Sequence, residues 1–423
     1  MMANKIPETM TPEIRDSIRQ MKAEIRAKNI DVKAAFEAMD KRLETQIVAI
    51  EKEVAAGISP IPVCDYTDIS NLADDAADTL RDRVKQRGVA IVRNVFDKKR
   101  VEAWNTELMD YVARNDYFEK QKGKDGLDKY FAGLSSSKPQ IFGLYWSMAQ
   151  MEARTSQELA DVRRWLNRLW RFESTNGAEF NPDKECLYAD RMRQREPGDN
   201  TLGLSPHVDG GSVERWIDRG YQEVYRHILA GDIAAYDPFD AAFRTTTKEI
   251  PSPAVCSMFR TYQGWTALSR QGPGDGTLNL VPIADAMGWM ILRALQDDVP
   301  DDALCGAAPS RALTVSAEYH AKLLRAYVPI PVVEAGDTVW WHPDVIHGVE
   351  DKHSGDGYSN VMYIGAAPDC DKNRAFLSKQ QPAFEAGKSS PDFAAEDYEV
   401  DFSGRFTLEM LSPLGRSQMG YET

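Results

Sequence analysis

The stretch that decides the expected fold is Leu204-Ser205-Pro206-His207-Val208-Asp209-Gly210-Gly211. Residues i and i+2 of a β-strand point to the same face, so His207 and Asp209 can reach one metal ion together. Pro206 disfavours a helix across the triplet, and Gly210-Gly211 gives the backbone room to turn beside a ligand. A His-x-Asp triplet is common by chance, so it predicts a metal site only together with a third ligand from elsewhere in the chain.

The third ligand is expected from a downstream stretch, Glu334-Ala335-Gly336-Asp337-Thr338-Val339-Trp340-Trp341-His342-Pro343-Asp344-Val345-Ile346-His347-Gly348. Gly336-Asp337 predicts a tight turn, and the four residues after it predict a strand that enters the core. From a strand beside the first stretch, His347 would complete a set of two imidazoles and one carboxylate. Such a set leaves three octahedral positions open, as in non-haem Fe(II) oxygenases.

Composition excludes several classes of partner. The 423-residue chain has a formal net charge of −14, and no run of lysine or arginine stands out, so neither nucleic acid nor an anionic membrane is expected as a partner. The five cysteines are scattered without a Cys-x-x-Cys pair, which argues against a disulfide framework and a zinc knuckle. With neither a signal-peptide pattern nor an apolar run of ~20 residues, a cytoplasmic protein is expected.

The N-terminal part of the chain has a helical pattern. Apolar residues recur at helical spacing from Thr11 to about Ala56, and Asn29 (a candidate stop) and Asp31 (a candidate N-cap) divide this run into two predicted helices. We therefore divide the chain into an N-terminal helical extension, residues 1–57, and a larger domain with helical insertions, residues 58–423. The extension is expected to pack on the outside of the core. A coiled coil that makes a homo-oligomer is the alternative, but its heptad run is short and broken.

Strand patterns dominate the second half of the chain. Alternation over Tyr188–Arg195 predicts a strand on which Arg191, Arg193 and Arg195 share one face. Residues 258–270 and 277–282 flank a glycine-rich turn and predict a hairpin.

An aromatic segment before these strands is a candidate wall of a binding pocket. Tyr145, Trp146, Gln150 and Arg154 combine flat apolar faces with polar ends, as the lining of a site for a polar small molecule would. A core cluster is the alternative, since aromatic clusters more often fill a core.

Several stretches together resemble a YbiU-like family of uncharacterised, Fe(II)/2-oxoglutarate-dependent dioxygenase-like proteins, which is related to the phytanoyl-CoA hydroxylase type. They are Pro139-Gln140-Ile141, Tyr145-Trp146-Ser147, Pro206-His207-Val208-Asp209, Gln263-Gly264-Trp265-Thr266-Ala267-Leu268, Asn360-Val361-Met362-Tyr363-Ile364, Ala383-Phe384, Pro391-Asp392-Phe393, Gly404-Arg405 and Gly415-Arg416. The resemblance extends from about Asp65 to the C-terminus. It implies an α+β fold with a double-stranded β-helix (jelly roll, cupin-like) core and flanking helices.

The resemblance also implies an activity: oxidation of a polar small molecule with Fe(II), 2-oxoglutarate as cosubstrate and O2. In that reaction His207, Asp209 and His347 are the metal ligands and catalytic residues, and Trp340 and Trp341 shield the site. His342 is a rival ligand, but the family pattern puts the ligand at the His-Gly position. No substrate is implied.

One part of the pattern departs from the resemblance. The distal carboxylate of 2-oxoglutarate usually meets an arginine on the strand after the last histidine ligand, because a bidentate guanidinium matches a carboxylate. No arginine lies between His347 and Asn360, and Asn360 stands near the expected place. Arg270 and Arg193 are alternative cosubstrate-binding residues, although each alone also fits a surface ion pair.

Two other functions are therefore considered. A cupin-like metal enzyme that does not use 2-oxoglutarate would explain the missing arginine. A binding protein that keeps the fold without turnover is the third hypothesis, and the complete set of three ligands argues against it. Succinate release would separate the first function from the other two, and iron content would separate the binding protein from both enzymes.

Overall fold

The computed structural model of the protein describes residues 9–28, 30–71, 74–122, 140–175, 177–200, 205–209, 212–247, 256–309 and 311–421. The predicted helix stop at Asn29 and the predicted turn at Gly210-Gly211 lie outside these residues. Within them the protein is a mixed α+β structure with several sheets. No helix in the described part of the chain combines the length and the apolar character needed to cross a membrane.

The helices and strands alternate irregularly along the chain. The helices are α1 Pro12–Ala27, α2 Val32–Ala55, α3 Tyr66–Asn71, α4 Asp74–Arg87, α5 Lys98–Arg114, α6 Tyr117–Gln121, α7 Met148–Arg154, α8 Gln157–Asn167, α9 Glu214–Ile217, α10 Arg219–Val224, α11 Arg226–Leu229, α12 Ala286–Arg293, α13 Ala317–Leu324, α14 Asp371–Ala386 and α15 Pro413–Gln418. The strands are β1 Val63–Asp65, β2 Val89–Arg93, β3 Ile141–Phe142, β4 Glu173–Ser174, β5 Gly177–Ala178, β6 Asn181–Glu185, β7 Met192–Arg195, β8 His207–Val208, β9 Tyr262–Ala267, β10 Leu278–Leu280, β11 Leu313–Thr314, β12 Val328–Pro329, β13 Thr338–Trp341, β14 His347–Val349, β15 Ser359–Ala366 and β16 Pro368–Asp369.

Both predicted N-terminal helices are confirmed, and their starts follow from local capping. The Thr11 hydroxyl accepts a hydrogen bond from the backbone N–H of Ile14 at the start of α1. The Asp31 carboxylate accepts one from the N–H of Ala34 at the start of α2. Each oxygen satisfies an N–H group that has no partner within its helix.

The two N-terminal helices pack on the rest of the same chain. Their apolar faces share one buried core with α12, and Met39, Leu43 and Ile47 of α2 are fully buried there. On the same helix Arg42 forms an ion pair with the nearly buried Asp285, at 2.6 Å. The apolar face on which a dimerisation coiled coil would depend is therefore already covered by this chain.

Two sheets make up most of the β structure that is described. The larger has seven strands in the order β1-β2-β13-β9-β15-β7-β3, and the smaller has five in the order β11-β8-β14-β10-β12. Apolar side chains from both meet in one buried cluster, for example Trp265 and Val339 from the larger sheet with Leu278 and Leu280 from the smaller. The two sheets thus face each other across a shared interior.

The predicted hairpin of residues 258–270 and 277–282 is wrong. Strand β9 pairs with β13 and β15 in the larger sheet, whereas β10 pairs with β12 and β14 in the smaller one. Between them the chain makes a bridge at Gln271 with Val333 and then crosses from one sheet to the other. A glycine-rich turn fits such a crossing as well as a hairpin, so the local pattern could not distinguish them.

Candidate metal centre

Three side chains from the two predicted stretches come together on the smaller sheet. His207 of β8 lies directly opposite His347 of β14, and Asp209 follows β8 immediately. The Nε2 atom of His207 is 3.4 Å from Oδ1 of Asp209, and that of His347 is 3.6 Å from Oδ2. One ligand atom from each residue lies within 4.8 Å of the other two, so the three could hold one metal ion.

The hydrogen bonds of the two histidines suit metal binding. Nδ1 of His207 is 2.7 Å from the carbonyl oxygen of Ser205, and Nδ1 of His347 is 3.1 Å from that of Val345. A carbonyl oxygen only accepts, so each Nδ1 carries a hydrogen, and Nε2 is the ring nitrogen that each histidine could offer to a metal ion. Such a second hydrogen bond fixes the ring and tautomer of metal-binding histidines. The three residues therefore fit a divalent cation.

The charge of Asp209 also suits a cation. Burial acts to raise the pKa of this carboxyl, but the imidazoles of His347 and His207 outweigh burial and hold the pKa well below its ordinary value. The side chain keeps about 35% of its surface exposed, towards the adjoining cavities. Asp209 is therefore an anionic, accessible ligand at neutral pH.

The rival ligand His342 has no nitrogen to offer. Its Nε2 lies 3.0 Å from the carbonyl oxygen of Pro238, and its Nδ1 accepts the backbone N–H of Asp344, also at 3.0 Å. The ring stacks on Trp170 with centroids 4.7 Å apart, and burial lowers its pKa to about 3. It is a neutral core histidine.

The two tryptophans before His342 point to opposite sides of β13, as alternation requires. Trp341 lines the cavity beside the three ligands, with its ring centroid 5.1 Å from that of His347. Trp340 packs instead into the apolar core on the other side of the larger sheet. The prediction that both shield the site thus applies to Trp341 alone.

A cavity of about 140 Å³ opens beside the three candidate ligands, and we call it the metal cavity. Its wall combines aromatic and apolar residues with arginines and acids, and it includes Asp190, Arg191, Arg193, Asp209, Arg260, Gln263, Trp265, Trp341, Val361 and Tyr363. The lining is thus rich in guanidinium groups for a protein of negative net charge.

Arg193, one of the predicted cosubstrate-binding residues, lies in this wall. It stands on β7 opposite Val361 of β15, and its side chain is buried. Its Nε and Nη2 atoms are buried without a hydrogen-bond partner among the described residues. By contrast, Arg195 on the same face donates to the carbonyls of Gly276, Glu350 and Asp199. Arg193 is therefore the arginine of β7 whose Nε and Nη2 atoms lack a partner among the described residues.

The other two candidates for cosubstrate binding lie outside the metal cavity. Arg270 comes after the end of β9, is 61% exposed and pairs with Glu334 at 3.3 Å. Asn360 points to the opposite face of β15 from Val361, where its amide donates to Asn105 at 2.9 Å. Asn360 faces away from the metal cavity because Val361 lines it, and consecutive residues of a strand point to opposite faces.

The aromatic segment lies behind the cavity wall and does not line it. Tyr145 and Trp146 are buried in a separate apolar cluster, and their backbone N–H groups both donate to the carboxylate of Glu399. Gln150 donates to the carbonyl of Leu144, and Arg154 to that of Tyr145 and, by a short contact, to that of Asp190. The four predicted substrate-binding residues thus form a core that holds the backbone of Asp190, a residue of the wall.

A buried ionic cluster supports the other side of the metal centre. Asp344, whose side chain is 1% exposed, pairs with Arg215 at 3.1 Å and Arg244 at 2.8 Å, and accepts the Tyr225 hydroxyl at 2.9 Å. Arg215 also donates through a short hydrogen bond to the backbone carbonyl of Asp209. The cluster therefore fixes the backbone of a candidate metal ligand.

Sequence reasoning assigned no role to Arg260 or to this cluster. Arg260 stands in the otherwise apolar run Met258-Phe259-Arg260, and a lone charge in such a run was the available signal. Arg215 and Asp344 are far apart in the chain, and nothing local links them.

Comparisons with known proteins identify close relatives of the whole chain. A model of the Gig2-like family matches residues 12–421. The uncharacterized protein YbiU of Escherichia coli (strain K12) is 43% identical over 417 residues, 98% of this chain and 98% of that protein. The crystal structure of a proposed oxidoreductase from Salmonella typhimurium LT2 has a TM-score of 0.90 at 41% identity, over 99% of this chain and 100% of that one. GlcNAc Inducible Gene 2 (GIG2) of Candida albicans gives 0.80 at 27% identity, over 96% and 89%.

Proposed function

The chain belongs to the Gig2-like family, and on that premise we propose that it is an Fe(II)- and 2-oxoglutarate-dependent oxygenase acting on a polar small molecule. The observation that carries the proposal is the orientation of the two histidine rings. Both turn Nδ1–H to a backbone carbonyl and present Nε2 beside the Asp209 carboxylate. Two imidazoles and one carboxylate with open positions favour Fe(II) among the common metals.

The residues of the centre have distinct roles in this proposal. His207, Asp209 and His347 hold the iron, which when bound supplies the redox chemistry with O2. The open fork of Arg193 receives the distal carboxylate of 2-oxoglutarate, a pairing that suits guanidinium geometry. Trp341 packs against His347 and keeps water from that side of the metal.

We include the fold in the proposal: the two facing sheets would form a double-stranded β-helix. Support comes from β9 and β10, which follow each other in the chain but lie in opposite sheets. The ligands come from adjacent strands of the smaller sheet, β8 and β14. In this arrangement the barrel interior between the sheets is the metal cavity.

The test is an anaerobic titration of the protein with Fe(II) and 2-oxoglutarate, followed by the weak visible charge-transfer absorption that such a complex gives. Wild type should show the band and His207→Ala should lose it. Arg193→Gln should require about tenfold more 2-oxoglutarate or worse, because a charge-assisted hydrogen bond to a carboxylate is lost.

Arg270→Gln is the matched control, since Arg270 is an exposed arginine paired with Glu334 outside the cavity. It should titrate like wild type. Iron binding without a band at saturating 2-oxoglutarate would overturn the cosubstrate and leave a metal enzyme of another kind. Failure of the wild-type protein to bind iron would overturn the whole proposal.

A further inference from the structure

A second cavity adjoins the metal cavity on the side of Asp209. It has a volume of about 80 Å³ and shares Asp209, Arg260 and Gln263 with the first cavity. Neither histidine of the metal centre lines it. If 2-oxoglutarate reaches Arg193 in the metal cavity, as the proposed function requires, this second space remains for the molecule that is oxidised.

Arg260 stands at the junction of the two cavities with most of its hydrogen-bonding capacity unused. Its Nη2 atom is 3.0 Å from the sulfur of Cys256, and its guanidinium lies over the ring of Tyr188 at 4.8 Å. No described carboxylate lies within ion-pair distance of it. Gly365 of β15 leaves the space that the side chain crosses, since a Cβ there would lie 3.1 Å from Cδ of Arg260.

The other arginines of the second cavity already form ion pairs within the protein. Arg215 and Arg244 both pair with the buried Asp344. Both guanidinium groups therefore share one buried carboxylate, and this ionic cluster holds the surrounding structure in place. Arg260 differs from them because its charge faces the cavities without such a partner.

The balance of charge in the metal cavity also leaves Arg260 with an unbalanced positive charge. Three guanidinium groups, those of Arg191, Arg193 and Arg260, face two carboxylates, those of Asp190 and Asp209. These five side chains carry a net charge of one positive. A divalent metal ion and a dianionic cosubstrate would add no net charge, so that positive charge remains. Asp190 pairs with Arg191 at 3.2 Å, and Arg193 is assigned to 2-oxoglutarate, which leaves the excess on Arg260.

We propose that Arg260 binds a carboxylate of the molecule that is oxidised, so that the substrate is a small carboxylic acid lying in the second cavity. A guanidinium offers a carboxylate two parallel hydrogen bonds and matches its plane. The rest of the molecule would lie along Val224, Met258, Phe259 and Pro343, which give that cavity an apolar wall. This inference rests on the proposed function, because it needs the metal and the cosubstrate in the neighbouring space.

Acetate is the probe for this site, because it is the smallest methyl-bearing carboxylate and its binding does not depend on the shape of the true substrate. The protein is loaded with Mn(II), a paramagnetic ion that accepts the same ligands, and with saturating 2-oxoglutarate. Relaxation of the acetate methyl protons then reports acetate held near the metal. Acetamide serves as the neutral counterpart.

We expect saturable relaxation with acetate and none with acetamide. Arg260→Gln should weaken acetate binding about tenfold or more, since a charge-assisted contact is removed. Arg260→Lys, which keeps the charge, should bind better than Arg260→Gln, and Arg270→Gln should match wild type. Unfolding temperature and 2-oxoglutarate affinity, measured on each variant, show that the site is otherwise intact.

The failures of the two proposals are distinguishable. If Mn(II) and 2-oxoglutarate bind but acetate binds equally well to wild type and Arg260→Gln, this inference is overturned and the proposed function stands. If acetate shows no saturable effect on wild type, the same conclusion follows. If the Mn(II) resonance shows that the ion stays free in solution, the proposed function fails, and this inference fails with it.

Discussion

His207 and His347 face each other in register across the pair β8 and β14, with ring centroids 4.4 Å apart. Because the side chains on a strand alternate, a shift of this register by one residue would move one imidazole to the other face. The candidate metal centre thus depends on strand pairing as well as on the three side chains.

The first prediction concerns metal affinity. Replacing either His207 or His347 by alanine should weaken Mn(II) binding about a hundredfold or more, since two protein ligands remain where three were. Isothermal titration of the apoprotein measures this. His227→Ala is the control, because His227 lies outside the group of three. Equal affinity in all the variants would contradict the assignment.

The second prediction concerns the ionic cluster behind Asp209. Burial acts to raise the pKa of Asp344, but Arg244 and Arg215 outweigh it and keep that pKa far below its ordinary value. Asp344→Asn would leave two buried guanidinium groups without their counter-charge and should destabilise the fold by about 3 kcal/mol. Denaturant unfolding gives this value. Mn(II) affinity should fall as well, since Arg215 holds the carbonyl of Asp209.

Tyr225→Phe is the milder companion to that variant. It removes one hydroxyl that donates to Asp344 and leaves both ion pairs in place. We expect a loss of about 1 kcal/mol in the free energy of unfolding, the usual size for one hydrogen bond. A loss as large as that of Asp344→Asn would show that the charge balance is not what matters.

The third prediction concerns pH. Burial lowers the pKa of His342 to about 3, so the unfolded chain binds a proton near pH 6.5 that the folded protein does not. This group's contribution to stability is therefore present above about pH 6.5 and is lost as pH falls, by about 1.4 kcal/mol per pH unit down to the folded pKa.

His342→Phe isolates this contribution, since phenylalanine can keep the stacking on Trp170 but does not titrate. Free energies of unfolding are compared from about pH 7 to about pH 4.5. We expect the variant to be less stable at neutral pH and the gap to narrow on acidification. Parallel curves for the two proteins would refute the assignment.

The fourth prediction concerns the attachment of α2. Arg42→Ala removes the guanidinium that pairs with Asp285 and leaves that buried carboxylate with Gln46 alone, so about 2 kcal/mol of stability should be lost. Arg325→Ala is the control: it breaks exposed ion pairs to Glu44 and Glu51 of the same helix. Exposed pairs contribute little, so thermal unfolding should barely change.

Local sequence sufficed for some parts of the structure. The caps at Thr11 and Asp31 act within one helical turn, and His207 and Asp209 are only two residues apart. In each case the interacting groups are near neighbours in the chain. The helix starts and the proximity of His207 to Asp209 could therefore be predicted from the sequence alone.

The order of strands in a sheet could not be predicted in that way. Arg193 is beside the cavity because β7 lies next to β15, and Arg270 is outside because the chain leaves the sheet after β9. The aromatic segment was misplaced for the same reason. Tyr145 and Trp146 are held by Glu399, which is more than 250 residues downstream. Such long-range pairings leave no periodic trace in the sequence.

The packing of α2 has a consequence for how the protein folds during its synthesis on the ribosome. Gln46 of α2 meets its partner Asp285 only after 239 further residues have been made. Until α12 is made, the buried core that the first two helices share with it is incomplete. Nascent chains stopped before α12 should therefore be prone to aggregation and sensitive to proteases. The first two helices, although made early, would be among the last parts of the protein to fold.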